Sequence, residues 1–169
     1  DLIAFDPIDR RLLVACANRI VTFGVDGSNV QDLGDLGGLV RVATGITLDP
    51  VGRRMYLVAG DQVVWANLDG TDVRSLGNFN GTLNQPKRIA WDGREGVLYV
   101  TNYGDQSVSR ARWDGGDGRK VGVNVTGPTG IAVMGDPNVG PMVLEPVVYR
   151  PSGQWFALPS VGPDDIYDL

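Results

Sequence analysis

Three stretches of this chain can be written one under another with like residues in register. They are "IAFDPIDRRLLVACANRIVTFGVDGSNVQDL" from Ile3, "ITLDPVGRRMYLVAGDQVVWANLDGTDVRSL" from Ile46 and "IAWDGREGVLYVTNYGDQSVSRARWDGGDGRKV" from Ile89. The starts lie 43 residues apart, and a fourth start, "GIAVMGDP", puts Ile131 42 residues further on. Asp6, Asp49 and Asp92 hold one matching position, and Asp26, Asp69 and Asp114 hold another. A period in this range means that one supersecondary unit is built several times and that each copy is stabilised by stacking on its neighbours. Two architectures meet that demand, a solenoid and a ring of radially stacked blades.

Each unit reads as four short strands. The first opens on Ile and ends at an Asp-Pro or Asp-Gly turn. The second is "LLVAC", "MYLVA" or "VLYVT", the third "RIVTFGV", "QVVWANL" or "SVSRARW", and an outer strand such as "VQDL" or "VRSL" closes the unit. Runs of β-branched and aromatic residues bounded by Gly, Pro, Asn and Asp are strand signals. No window carries a 3.6-residue apolar period. Asp26-Gly27, Asp69-Gly70 and Asp114-Gly115 fall between the third and fourth strands, where Gly accepts positive φ and Asp tolerates it, so each is expected to form a hairpin. Apolar residues occupy both strand parities: Phe23, Val25, Ala66 and Leu68 would point one way and Trp65 the other. Both faces of a unit therefore need cover, and the hairpins favour blades over a solenoid. The reading is all-β: a β-propeller of about four four-stranded antiparallel blades, forming one domain or part of a larger or oligomeric propeller. The blades span about 1–44, 45–87, 88–129 and 130–160, with an acidic tail at 161–169. In the fourth unit "VVYRPSGQWFALPS" reads as two strands around a Pro-Ser-Gly turn.

The composition removes several chemistries. The chain has no histidine, which excludes a Ser-His-Asp triad, an imidazole base and His-based zinc sites. Its single cysteine, Cys16, cannot form an intrachain disulfide; within "LLVACA" it is expected to be a small buried hydrophobe. A net charge of −5 without a basic stripe argues against nucleic acid. No apolar run approaches the roughly 20 residues of a membrane-spanning helix. The chain opens on Asp1 rather than Met, which points to a processed product or a portion of a longer polypeptide.

"LDPVGRRMYLVAGDQVVWANLDGTDVRSL" resembles the YWTD repeat of low-density-lipoprotein-receptor class B propellers, and "VLYVTNYGDQSVS" is similar to the YVTN variant of surface-layer-type propellers and to NHL repeats. The resemblance covers residues 1 to about 134. It implies an extracellular binding propeller, in a family whose rings commonly close with six blades. At the position of the YWTD aspartate this chain holds Cys16, Ala59 and Asn102. The "VYRPS" segment with its following Trp is similar to FG-GAP or VCBS-like repeats.

Several residues are candidates for a site. Asp114 and Asp117 in "WDGGDGRK" alternate with glycines, as a calcium loop would, although calcium takes six to eight oxygens and a plain turn explains the same residues. Asp6, Asp49 and Asp92 would either ring the central channel or cap their own turns. Trp65, Trp91, Trp113 and Trp155 occur about once per unit at different blade positions, which suits packing between blades better than a sugar-binding ring. Asn102, Tyr103 and Asp105 fall at a loop and form the preferred partner-contact surface. "NGT" at Asn80 and "NVT" at Asn124 are glycosylation sequons in connections between blades.

The leading functional expectation is a non-catalytic interaction or scaffold propeller, extracellular or on a cell surface, binding a protein partner, further blades or subunits, with no cofactor. One alternative is a calcium-dependent lactonase or related hydrolase, whose channel-mouth site would use Glu, Asn and Asp; here Glu occurs only at Glu95 and Glu145, neither at the end of a first strand. Another is a carbohydrate-binding propeller, which would repeat an aromatic at one blade position.

Overall fold

A computed structural model describes residues 2–136, 143–149 and 155–157, with side chains described through residue 133. The described residues hold fifteen strands and no helix. The first unit supplies β1 (Leu2–Asp6), β2 (Arg11–Cys16), β3 (Arg19–Gly24) and β4 (Gln31–Gly34), and the second β5 (Ala43–Asp49), β6 (Arg54–Ala59), β7 (Gln62–Asn67) and β8 (Arg74–Gly77). The third supplies β9 (Pro86–Asp92), β10 (Val97–Asn102), β11 (Ser107–Arg112) and β12 (Arg119–Gly122). Each set is one antiparallel sheet in sequence order. The fourth unit gives a three-stranded sheet of β13 (Gly130–Asp136), β14 (Val143–Tyr149) and β15 (Trp155–Ala157). Its first strand ends at Asp136, 44 residues after Asp92. The two strands expected in the tail pair as Tyr149 to Trp155; the Pro-Ser-Gly turn between them and the tail at 161–169 lie outside the described residues.

The sheets stack with their first strands side by side: β1 beside β5, β5 beside β9, and β9 beside β13. These strands line one open groove of about 340 Å³, bordered by Ile3, Phe5, Thr47, Trp91, Ile131 and Val133. Strand alternation divides each sheet into two faces. One face of the first sheet carries Leu2, Ala4, Leu13, Ala15 and Ile20. It packs on Leu48, Met55, Leu57, Ala59, Val64 and Ala66 of the second, with Leu36 and Val40 of the connection sealing the edge. The other face of the second sheet carries Tyr56, Val58, Val63 and Trp65. It packs on Ile89, Leu98, Val100 and Ala111 of the third, sealed by Phe79 and Leu83, which sit 43 residues after Leu36 and Val40. Tyr56 and Trp91 stack across this second interface with centroids 5.5 Å apart. Val97, Tyr99 and Val108 pack in turn on Ile131 and Val133. Ala66 and Leu68 face the first sheet and Trp65 the third, as strand parity predicts.

One expectation needs correction. Cys16 is only half-buried. It pairs with Arg19 at the end of β2, on the face of the first sheet opposite Leu13, so the run "LLVACA" puts its cysteine on the side that no described sheet covers. The Asp-Gly pairs join antiparallel third and fourth strands, as expected, each inside a longer connection. The connections span 25–30, 68–73 and 113–118. In the first two, the Asp carboxylate folds back and accepts from the backbone N–H and hydroxyl of Ser28 or Thr71; Asp114 accepts from the Gly116 N–H. These bonds hold the Asp26 and Asp69 carboxyls below the usual carboxylate range, with the hydroxyl contribution the larger.

Glycine at these connections answers to more than φ. Gly70 has φ 85° and backs onto Leu33 of the first sheet's outer strand; Gly115 has φ 86°, and a Cβ there would lie 2.8 Å from the Leu76 carbonyl oxygen. Gly27 has φ 83° and no atom within 4 Å of the same position. Gly27→Ala is therefore expected to cost about 1 kcal/mol, the left-handed penalty alone. Gly115→Ala is expected to cost about 2–4 kcal/mol, because overpacking against backbone adds to that penalty. Urea denaturation of the two variants measures the difference directly.

Candidate interaction surface

Strand order fixes two ends of the stack. The turns after each first strand and the Asp-Gly connections lie at one end. The loops between second and third strands, and the connections to the next sheet, lie at the other, where they bond to one another: Tyr103 N–H to the Gln85 carbonyl, Gly104 N–H to Asn84, and Val125 N–H to Gln106. At this end the loop after β2 and the loop after β6 hold two residues each, 17–18 and 60–61. The loop after β10 holds four, 103–106. The extra pair projects Tyr103 into solvent at 49% exposure.

The partner surface expected from Asn102, Tyr103 and Asp105 divides by role. Asn102 is fully buried. Its amide nitrogen donates to Ser107 Oγ at 3.1 Å and Ser109 Oγ at 2.8 Å, and its Oδ1 accepts from the Asn84 N–H at 3.1 Å. Ser109 donates onward to the Thr82 carbonyl. Asn102 is thus corrected from a contact residue to an internal bracket that ties the Tyr103 loop to the neighbouring connection. Asp105 accepts from Ser107 Oγ and from Lys120. Partial burial pushes the Asp105 carboxyl up, but the bonds from Lys120 and Ser107 outweigh it and hold the group below the usual range. Tyr103 carries the surface, with Lys87 Nζ 5.6 Å from its ring centroid.

The remaining candidates sit elsewhere. Asp114 is tied to its own turn and lies 3.9 Å from Arg112, and Asp117 lies 3.7 Å from Arg110. Among the described residues no three His, Cys, Asp or Glu side chains group together. Asp6, Asp49 and Asp92 are buried and cap their turns by accepting from Ile8, Gly52 and Arg94 N–H groups respectively. Trp65 and Trp91 lie between sheets, and Trp113 reaches the second sheet's Arg54; these three form no shared ring, and the side chain of Trp155 lies outside the described ones. Asn80 and Asn124 are exposed, in the connections at the Tyr103 end, with φ of 56° and 60°.

Sequence reasoning missed the polar ties between sheets. Arg53, in the β5–β6 turn, donates to Asp6 Oδ2 at 3.2 Å and to Asp9, both in the first sheet's turn, while Arg11 Nε reaches Asp6 at 3.3 Å. Arg54 lies over Trp65 at 5.3 Å and over Trp113 of the third sheet at 4.4 Å. The paired "RR" of "DRR" and "GRR" was the available signal, since a repeat that keeps two adjacent cations beside an acidic turn keeps a geometry.

No protein-family model and no curated protein sequence matches this chain. Solved structures do. One described as the crystal structure of a nidogen/laminin complex is 20% identical, with a TM-score of 0.70 over 93% of this chain and 63% of that one. Hydrazine synthase of Kuenenia stuttgartiensis is 14% identical, with a TM-score of 0.60 over 92% of this chain and 48% of that one. A mitotic checkpoint complex is 12% identical, with a TM-score of 0.69 over 97% of this chain and 48% of that one. The fold is that of a β-propeller. The chain spans about half to two thirds of the length of these propeller-like neighbours. Among the described residues no helix is long and apolar enough to cross a membrane.

Asn102→Ala would remove the donor that the buried Ser107 and Ser109 hydroxyls accept from and the acceptor of the Asn84 N–H, while both hydroxyls keep their own donated bonds to Asp105 and Thr82, so an equilibrium stability loss of about 1–3 kcal/mol is expected from denaturant titration. Asp105 gives a pH signature. Because its folded pKa is depressed, its contribution is present above the usual value near 4 and is lost as pH falls through the folded value. Amide protection factors at Tyr103 and Gly104 should therefore fall on acidification before those within β10, by hydrogen-exchange NMR.

Proposed function

We propose that this propeller is a non-catalytic protein-interaction module, working outside the cell or at its surface, and that its contact surface is the end bearing Tyr103. The observation that carries the reading is the buried Asn102–Ser107–Ser109 bracket beneath a half-exposed Tyr103 and Lys87. Side chains held on a rigid frame lose little entropy on docking, and tyrosine is among the residues that carry a large share of binding energy at protein interfaces. Val42 and Val123 are exposed at the same end at 60% and 65%, which adds apolar area around the aromatic. Two of the structural neighbours are solved as protein complexes, and this chain's fold likeness to them agrees with an interaction role. The two exposed sequons support an extracellular setting; glycans at Asn80 and Asn124 would border the Tyr103 surface and limit the size of what docks there.

The test uses the glycosylated protein secreted from eukaryotic cells, cross-linked to its partner in conditioned medium. Tyr103→Ala and Lys87→Glu should each reduce recovery of a given partner by about tenfold, equivalent to about 1.4 kcal/mol. Val51→Ser, at the opposite end and 88% exposed in the parent, should leave recovery unchanged. Equal recovery with all three would place the contact elsewhere, and release of no glycan by glycosidase would remove the support for secretion.

A further inference from the structure

We infer that the outward face of the first sheet is the seat for one further blade of this same repeat, laid on the first sheet as the first is laid on the second. The residues of that face are Ile3, Phe5, Leu12, Val14, Val21 and Phe23, which the register aligns as Ile3–Val14–Val21 and Phe5–Leu12–Phe23. None of them is buried; Ile3 is 62% exposed and Phe5 51%. Their counterparts in the second sheet, one period on, are Ile46, Leu48, Met55, Leu57, Val64 and Ala66, of which all but Ile46 are buried. In the third sheet the counterparts Ile89, Leu98, Val100, Ser109 and Ala111 are buried as well, and Trp91 is partly buried. The chain thus shows twice what covers this face, and each time the cover is the apolar back of a blade.

Two further observations, independent of hydrophobicity, point to the same kind of neighbour. Arg10 and Arg53 occupy matching turn positions with nearly equal backbone, φ 51° and 57°. Arg53 is clasped by Asp6 and Asp9 of the sheet before it, whereas Arg10 has no acidic partner among the described residues. Gly70 and Gly115 back onto Leu33 and Leu76, the outer-strand residues of the preceding sheets, whereas the same space beside Gly27 is empty to 4 Å. The occupant is specified accordingly. It presents an apolar blade back to Phe5, Val14 and Phe23, a carboxylate turn of the Asp6-Pro7-Ile8-Asp9 kind to Arg10, and an outer-strand aliphatic to Gly27. The first unit itself meets this description, because its own back and turn already serve the second sheet in this way.

The experiment places a copy of residues 2–44, one full period, directly ahead of Leu2, with Cys16→Ala in the copy. Cys16 of the receiving sheet then reports on the face, since its counterpart Ala59 is only 5% exposed under a covering blade. Labelling of Cys16 by a bulky thiol reagent is expected to slow by about tenfold or more relative to the unmodified chain. Arg10→Asp in the receiving sheet should restore much of the labelling rate, and Asp9→Arg in the copy should slow it again. An unchanged labelling rate would overturn the inference. So would digestion of the copy by a protease that leaves the rest of the chain intact, since the face would then not order a blade. Sedimentation of the unmodified chain covers the other occupant: a concentration-dependent dimer with Cys16 already protected would assign the face to a second copy and overturn the assignment to a further blade.

Discussion

Neither face of these sheets can be left in water, and the rest of the architecture follows from that constraint. Each strand alternates, yet both parities are apolar, so a single unit has no polar side to turn outward. Stacking satisfies both faces at once. Each fully buried Leu or Val contributes about 1.5–3 kcal/mol relative to exposure, and the second sheet, covered on both sides, buries Met55, Leu57, Val58, Val63, Val64 and Ala66 completely. The first sheet, covered on one described side, buries only Leu13, Ala15 and Ile20 among its apolar strand residues. Stability in such an array is a sum over neighbour interfaces, so the middle sheets anchor the outer ones.

Polar groups set the angle and register that burial alone leaves loose. Asp6 is wholly buried yet satisfied: it accepts from its own turn, from Arg11 on its own sheet and from Arg53 on the next. A buried carboxylate is tolerable only when so surrounded, and removing a partner leaves desolvated charge behind. Between the second and third sheets the same task falls to different chemistry. Arg54 lies over Trp113, Thr44 donates to the Pro86 carbonyl, and Arg88 returns a bond to the Thr44 carbonyl. The interfaces share their apolar plan and differ in their ties, which lets each pair of blades hold one order.

The frame was legible in the sequence because it repeats. Asp6, Asp49 and Asp92, the second and third strands, and the Asp-Gly positions could be placed from their spacing, and they stand at strand ends and connections as expected. What the spacing could not show was which side of a sheet is covered. Cys16 lies in an apolar run like those of Ala59 and Val100, and its burial depends on a neighbour that no local pattern reveals. Nor could composition separate Asn102 from a surface asparagine. It occupies the position of Cys16 and Ala59, on a face that is covered in the third sheet, so a polar residue there must find internal partners, and Ser107 and Ser109 are the nearest donors and acceptors that the register brings to it.

In a repeat protein, what the units share is needed by the frame, and what one unit has alone is free for function. The third unit departs from the period in the loop after β10, where two added residues also carry Asp114 two positions beyond its expected phase, and in a connection to the fourth sheet that is shorter than the other two. The insertion brings a set of residues without counterparts in the other units. Asn102 replaces small apolar residues, Ser107 and Ser109 replace Gln62 and Val64, Tyr103 stands where the second unit has Gly60, and Lys87 faces its ring. An insertion needed only for chain length would carry no buried polar bracket, because such a bracket must satisfy every donor it hides. Here the bracket is complete, and its effect is to fix an exposed aromatic that the frame does not require. That combination of local cost and outward display is how a scaffold unit acquires a surface for recognition.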